Sequence, residues 1–197
     1  MNAARPRTRL SPEARRTQLL DTAKTMVIAE GLQAFTMEGL AREAGVSAPL
    51  VYNYFSGRPE LLKALLAREY ERFVQATVEA VRSAKNFEDI VRLYVTSNFD
   101  HHAPGNILPL LLSQPELASA IRTEQQRRGR QNAKFLVSAA ADTYQLNQRQ
   151  AQLVVSMSSG ASIAAAELAA NAKLKREETI DLAVSYIMAG IERIASE

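Results

Sequence analysis

Residues 36–55, TMEGLAREAGVSAPLVYNYF, constrain the fold more than any other stretch of the chain. Thr36 is a good N-cap, because its hydroxyl can accept from an amide that the first helical turn leaves unpaired. Met37, Leu40, Ala41 and Ala44 then recur at three- and four-residue spacing and predict one apolar face. Gly45 supplies the left-handed residue that ends such a helix. Val46 follows as a buried hinge residue, Ser47 can cap a second helix, and Pro49 falls in its first turn, where a missing N–H costs nothing. Leu50, Val51, Tyr54 and Phe55 form the core side of that second helix, and Ser47, Ala48, Pro49, Tyr52 and Asn53 its exposed side. Two short helices around a glycine turn make a helix-turn-helix, the motif whose second helix enters the major groove of DNA.

In these residues the chain resembles the N-terminal domain of the TetR family of bacterial transcriptional repressors. The likeness runs from about residue 16 to about residue 62, roughly a quarter of the chain. It takes in the first helix (RTQLLDTAKTMVIAEG), the Thr36 cap, the AGVS turn, the Tyr-x-Tyr-Phe ending and the Leu61-Leu62 start of the next helix. Asn53 stands where the family often has an aromatic, Tyr54 where it often has His, and Arg58 where it usually has Lys. All three keep hydrogen-bonding capacity, so these departures bear on which operator is read. The resemblance implies that Ser47, Ala48, Pro49, Tyr52 and Asn53 contact bases or phosphates; the plainer alternative makes Ser47 only a cap and Tyr52 a partly buried aromatic. Asn53 can offer an amide to a base edge, and Ala48 and Pro49 can touch a thymine methyl. Thr36, Tyr52 and Arg58 suit phosphate oxygens, which set position without reading sequence, and Tyr54 could send its hydroxyl to another.

The charge distribution agrees with that reading. Residues 1–63 hold nine Lys/Arg and six Asp/Glu, whereas the remainder holds fifteen of each, so the whole formal excess of +3 lies beside the motif. Residues 1–10, MNAARPRTRL, read as a disordered arm, either a solvated tail or a segment that follows phosphates into the adjacent minor groove. The arginines there are not followed by an apolar core, so no secretory signal is expected. The chain has no cysteine, which excludes disulfides and thiolate chemistry and suits a reducing cytosol. Its most apolar window, residues 151–170, contains Gln152 and Glu167 and leans on Ala and Ser. It reads as a buried helix rather than a membrane span.

Helical spacing continues beyond the motif. Ser11-Pro12 opens a first helix with Leu19, Leu20, Ala23, Met26 and Val27 as its stripe. Pro59-Glu60 opens a long helix with Leu61, Leu62, Leu65, Leu66, Tyr70 and Phe73 inward, leading into a second domain. Asn86 caps a helix with Ile90, Leu93, Tyr94 and Val95 inward. A loop at residues 100–105, a short helix after Asn106, a long one from Pro115 to about Tyr144, and a capping-box variant at Asn147-x-x-Gln150 follow. The helix after Asn147 is apolar nearly all round and must be covered on more than one side. Gly160, Ala161, Ala164 and Ala165 would let another helix approach closely, and Val184, Ile187 and Ile191 offer a second stripe on the last helix. With their symmetry mates these two helices would form a four-helix dimer interface.

Few polar groups converge as catalysis would require. There is no phosphate-cradling glycine loop and no nucleophile elbow. His101 and His102 are adjacent, so they diverge and cannot make the i, i+4 zinc pair of a helix. No enzyme, cofactor or metal is expected. The family resemblance instead implies a small-molecule pocket in the second domain, for which Tyr94, Asn98, His101, His102, Gln126, Tyr144 and Glu167 are candidate polar residues, each of which could equally be an ordinary surface or satisfied core group. The sequence thus predicts an all-α protein with an arm and helix-turn-helix domain (residues 1–58) and a helical effector-binding and dimerisation domain (residues 59–197). It would be a cytoplasmic, ligand-released homodimeric repressor of double-stranded DNA, with no membrane partner. An activator or architectural protein without an effector, or an all-helical enzyme, are the rival readings.

Overall fold

The computed structural model describes residues 10–102 and 106–196, except for the side chain of His102. The expected arm up to residue 9, and residues 103–105 of the expected loop, lie outside the described residues. Those described form nine helices and no strand: α1 (Pro12–Glu30), α2 (Met37–Glu43), α3 (Ala48–Tyr54), α4 (Arg58–Ser83), α5 (Phe87–His102), α6 (Ile107–Leu112), α7 (Pro115–Tyr144), α8 (Gln148–Ala172) and α9 (Arg176–Ala195).

The helix ends follow from the capping residues. Ser11 Oγ accepts from Ala14 N, Thr36 Oγ1 from Gly39 N, Asn106 Oδ1 from Leu108 N, and Asn147 and Gln150 bond reciprocally. The turn after α2 closes with Val46 N donating to Ala41 O at 2.9 Å while Gly45 takes φ +66°, a region that suits glycine. Gly39 answers a different need. A Cβ there would sit 2.9 Å from the capping hydroxyl of Thr36 and 3.3 Å from Met26 Cε.

Two apolar cores result. The first joins α1, α2, α3 and the start of α4 around Leu19, Phe35, Leu40, Val51 and Phe55. It also takes in Ile107, Leu108 and Leu111 of α6 and Leu117 and Ile121 of α7. Packing is therefore continuous across residue 58, the boundary drawn from sequence: Leu61, Leu62, Leu65 and Leu66 of α4 lie in the same core as α1–α3. The second core is built from α5, the end of α7, α8 and α9. In α5 the buried stripe is Phe87, Val91, Val95 and Phe99, so Ile90, Leu93 and Tyr94 sit at its margins rather than inward as expected. Phe73 of α4, also expected inward, is exposed.

An ionic cluster around the buried Glu69 ties α1 to α4. Glu69 is 5% exposed and receives Lys24 Nζ at 2.7 Å, with Arg68 and Arg72 also on its carboxylate and Arg68 reaching Asp21 at 2.8 Å. Burial raises the Glu69 carboxyl, but hydrogen bonds from Lys24 and Arg68 outweigh it and leave the group below its ordinary value.

α8 is long and apolar enough to cross a membrane by composition, with mean hydropathy 1.5 over its best window. In the fold one side is covered: Ala151, Val154, Ser162, Ala166 and Ala169 pack in the second core. The opposite side is open, with Leu153, Met157 and Leu168 more than half exposed and Gly160 and Ala164 between them. The second core thus covers one face of a helix whose apolar residues call for cover on more than one side. α9 behaves likewise, and here the expected residues are corrected. Val184, Ile187 and Ile191 point into the chain's own second core, and the open face of α9 is instead Leu182 and Tyr186, 69% and 72% exposed. Ala161 and Ala165 are also partly buried against that core.

Candidate nucleic-acid interface and ligand cavity

α3 is held at both ends and along one side. Val51 and Phe55 are buried, and the Arg16 guanidinium lies 5.2 Å from the centre of the Phe55 ring. Gln18 Nε2 donates to Ala44 O at 3.2 Å, fixing the turn on α1. Those anchors leave Ser47, Pro49, Tyr52 and Asn53 on one exposed face. Ser47 occupies the N-cap position but makes no capping bond, so its hydroxyl is not consumed by the helix as the sequence suggested. Thr36 is exposed, accepts from Gly39 N and keeps its own O–H to donate.

Three expected contacts are placed differently. Ala48 and Tyr54 are partly buried against the first core, so Ala48 leaves the exposed set. Arg58 donates from Nη2 to Leu32 O at 2.6 Å and from Nε to Phe35 O at 3.2 Å. It clamps the chain that delivers the Thr36 cap, a role for which carbonyl acceptors 23 and 26 residues away give no sequence signal.

One group on this face was not foreseen. The Tyr52 hydroxyl donates to Glu38 Oε1 at 3.1 Å, and that bond, with the neighbouring negative charge, raises the phenol above its ordinary value. Both groups are exposed, so the pair holds Tyr52 toward α2 only until a stronger acceptor competes.

The second core borders a cavity of about 520 Å³ between α5, α7, α8 and α9, open to solvent along Gly129, Asn132, Ala133, Ser156 and Ser159 and within the size range of small-molecule sites. The helix directions set its two ends. Phe87 stacks edge-on with Tyr144, ring centres 5.5 Å apart, so α5 begins where α7 ends. Asn98 Nδ2 donates to Ser162 Oγ at 2.8 Å, so the later turns of α5 meet the middle of α8. Arg176 pairs with Asp100 at 2.5 Å, bringing the start of α9 to the end of α5. Phe87, Val91, Val154 and Ile191 therefore lie toward one end and Asn98 and Ser162 toward the other, with Tyr94, Leu136, Ser156, Ser158 and Ser159 between them. Seven residues at helical rise separate Val91 from Asn98, about 10 Å along the cavity. Burial holds the Tyr94 phenol above its ordinary value.

Of the sequence candidates for a pocket, Tyr94 and Asn98 line this cavity. Tyr144 supports its wall through Phe87. His101 borders a separate cavity of about 400 Å³ between α4, α5, α6 and α7, with Tyr70 and Leu108. Gln126 and Glu167 are exposed and line neither, and the side chain of His102 lies outside the described residues. The serines of α8 were missed: in sequence they looked like the polar filler of a small-residue helix, and only the pairing of Asn98 with Ser162 sets them facing α5.

Residues 19–65 match the family model for bacterial regulatory proteins of the tetR family. The HTH-type transcriptional activator FasR of Mycolicibacterium smegmatis is 31% identical over 120 residues, covering 58% of this chain and 55% of that protein. The HTH-type transcriptional regulator TtgW of Pseudomonas putida is 32% identical over 95 residues, covering 39% of this chain and 71% of that protein. The chain spans about half the length of the first curated relatives it matches. Among solved structures, a TetR-like transcriptional regulator from Rhodococcus sp. RHA1 superposes with TM-score 0.63 at 24% identity, over 93% of this chain and 98% of that one.

Proposed function

From the premise that this chain belongs to the TetR family of bacterial regulatory proteins, we propose that it is a homodimeric transcriptional repressor released from DNA by a small molecule. The observation that carries the reading is the α3 face, where Ser47, Pro49, Tyr52 and Asn53 stand free of the core on a helix fixed by α1 and α2. Asn53 reads a base edge, while Thr36, Ser47 and Tyr52 grip phosphates once Tyr52 leaves Glu38. The partner is a second copy of the chain, docked through the open face of α8 and α9. Leu153, Met157, Gly160, Ala164 and Leu168 then meet Leu182 and Tyr186 about a two-fold axis, in place of the buried Val184, Ile187 and Ile191. Two recognition helices require a palindromic operator with half-sites ~34–36 Å apart or a multiple of that.

The effector occupies the cavity between α5, α7, α8 and α9. Ligand and operator then antagonise one another reciprocally by roughly 1–3 kcal/mol. The protein acts by binding, without catalysis, in the cytoplasm where its operator lies. A second reading is activation, favoured by the likeness to a relative named as an activator. A reporter driven through a selected operator in a foreign host separates them: expression of the protein lowers the signal of a repressed promoter, and a rise assigns activation.

A further inference from the structure

We propose that the cavity between α5, α7, α8 and α9 takes an uncharged amphiphile, its apolar body among Phe87, Val91, Leu136 and Ile191 and its hydrogen-bonding head on Asn98 and Ser162. The proposal rests on the reading of this cavity as the effector site and names the class of ligand it accepts. Among the described residues that line it there is no Asp, Glu, Lys, Arg or His. A carboxylate or ammonium group would give up its water there without a counter-charge, which low-dielectric surroundings penalise steeply. The polar groups are all neutral: an amide on each of Asn98 and Asn132, the Tyr94 phenol and the α8 hydroxyls. Asn98 and Ser162 lie toward one end, about 10 Å from Val91 by helical rise, while Tyr94 and Ser156 lie nearer the apolar end. Ser162 is 3% exposed and already accepts from Asn98 at 2.8 Å, so a polar clamp is preformed at the buried floor of the cavity. Its own O–H remains a donor for a carbonyl or hydroxyl oxygen. The same lining gives selectivity by exclusion, since a charged analogue of equal shape fits the space and still pays the desolvation.

Three probes that share one alkyl chain and differ in the head test this by titration calorimetry on the full-length protein: decan-1-ol, decanoate and decyltrimethylammonium at neutral pH. The alcohol should bind at least about tenfold more tightly than either ion. Gly129→Leu supplies a control for the site. Gly129 lines the cavity within α7 and a Cβ there meets nothing within 4 Å, so a larger side chain takes up cavity space without breaking the helix. It should weaken the alcohol by about tenfold or more. Ser162→Ala should narrow the alcohol's advantage over the ions while the protein stays folded by circular dichroism. Ions that bind as tightly as the alcohol, and are lost in Gly129→Leu, overturn the uncharged class while leaving the cavity as the ligand site. An advantage that survives Ser162→Ala intact overturns the head clamp. Absence of binding by all three, or binding that Gly129→Leu leaves unchanged, overturns the ligand class together with the effector site itself.

Discussion

Glu38 and Tyr52 show how single residues set the strength of the proposed DNA contact. A carboxylate that accepts from Tyr52 at 3.1 Å both occupies the phenol and adds negative charge to a face that must meet phosphates. Glu38→Gln should therefore tighten operator binding by roughly threefold to tenfold at low salt, with the gain shrinking as salt rises. Fluorescence anisotropy across a salt series reads this, and a loss of affinity would show that Glu38 serves the complex rather than restraining it. The glycines make a paired test of packing. Gly129→Ala should add about 0.5–1 kcal/mol through helix propensity, because nothing obstructs the new methyl. Gly39→Ala should show no such gain, because its Cβ would displace the Thr36 hydroxyl and forfeit a cap worth ~0.5–2 kcal/mol. Equal gains in denaturant unfolding would contradict the close approach at Gly39.

At the scale of elements, the join between α1 and α4 depends on Glu69, which sequence inspection passes over as one more acid on a charged helix. Its burial is visible only once Lys24, 45 residues earlier, is seen to reach it. The carboxyl's folded value lies below the ordinary one near 4.5, so its stabilisation is present above that value and lost as pH falls through the folded one. Glu69→Gln should cost roughly 1–3 kcal/mol at neutral pH and flatten the loss of stability on acidification below about pH 5. Parallel acid unfolding curves for variant and parent would remove Glu69 from the account. Other elements were legible for simple reasons. The Thr36, Asn86 and Asn147 caps, the Gly45 turn and the stripe of α1 are local patterns, and local patterns survive folding. The orientation of α5 and α9 was not legible. Both carry apolar residues on more than one face, and only tertiary packing decides that Val91 and Ile187 turn inward while Leu182 and Tyr186 do not. Arg58, expected on a phosphate, instead holds the carbonyls of Leu32 and Phe35 here, partners that have no signature in sequence.

Across the whole molecule, α7 contributes to both cores, Leu117 and Ile121 to the first and Ala140 to the second, so a ligand between the helices of the second core can bias the first through that helix. The open α8–α9 face is the other feature of this scale. Large apolar side chains at Leu168, Leu182 and Tyr186, each at least 60% exposed, form a patch of the kind that marks an interface. Ala164→Arg should dissociate the dimer and lower operator affinity while leaving the helical content of α1–α3 intact, because Ala164 is exposed and touches the protomer's own core little. Sedimentation of this variant as an undisturbed dimer would move the interface elsewhere. The most direct measurement is the affinity of the parent protein and Asn53→Ala for a palindromic operator selected from random DNA, against one half-site and against random duplex of equal length. The account predicts a strong preference for the palindrome, reduced by ~1–3 kcal/mol in Asn53→Ala through loss of one base-edge contact per half-site. Equal affinity of the parent protein for all three duplexes would contradict sequence reading by a pair of α3 helices.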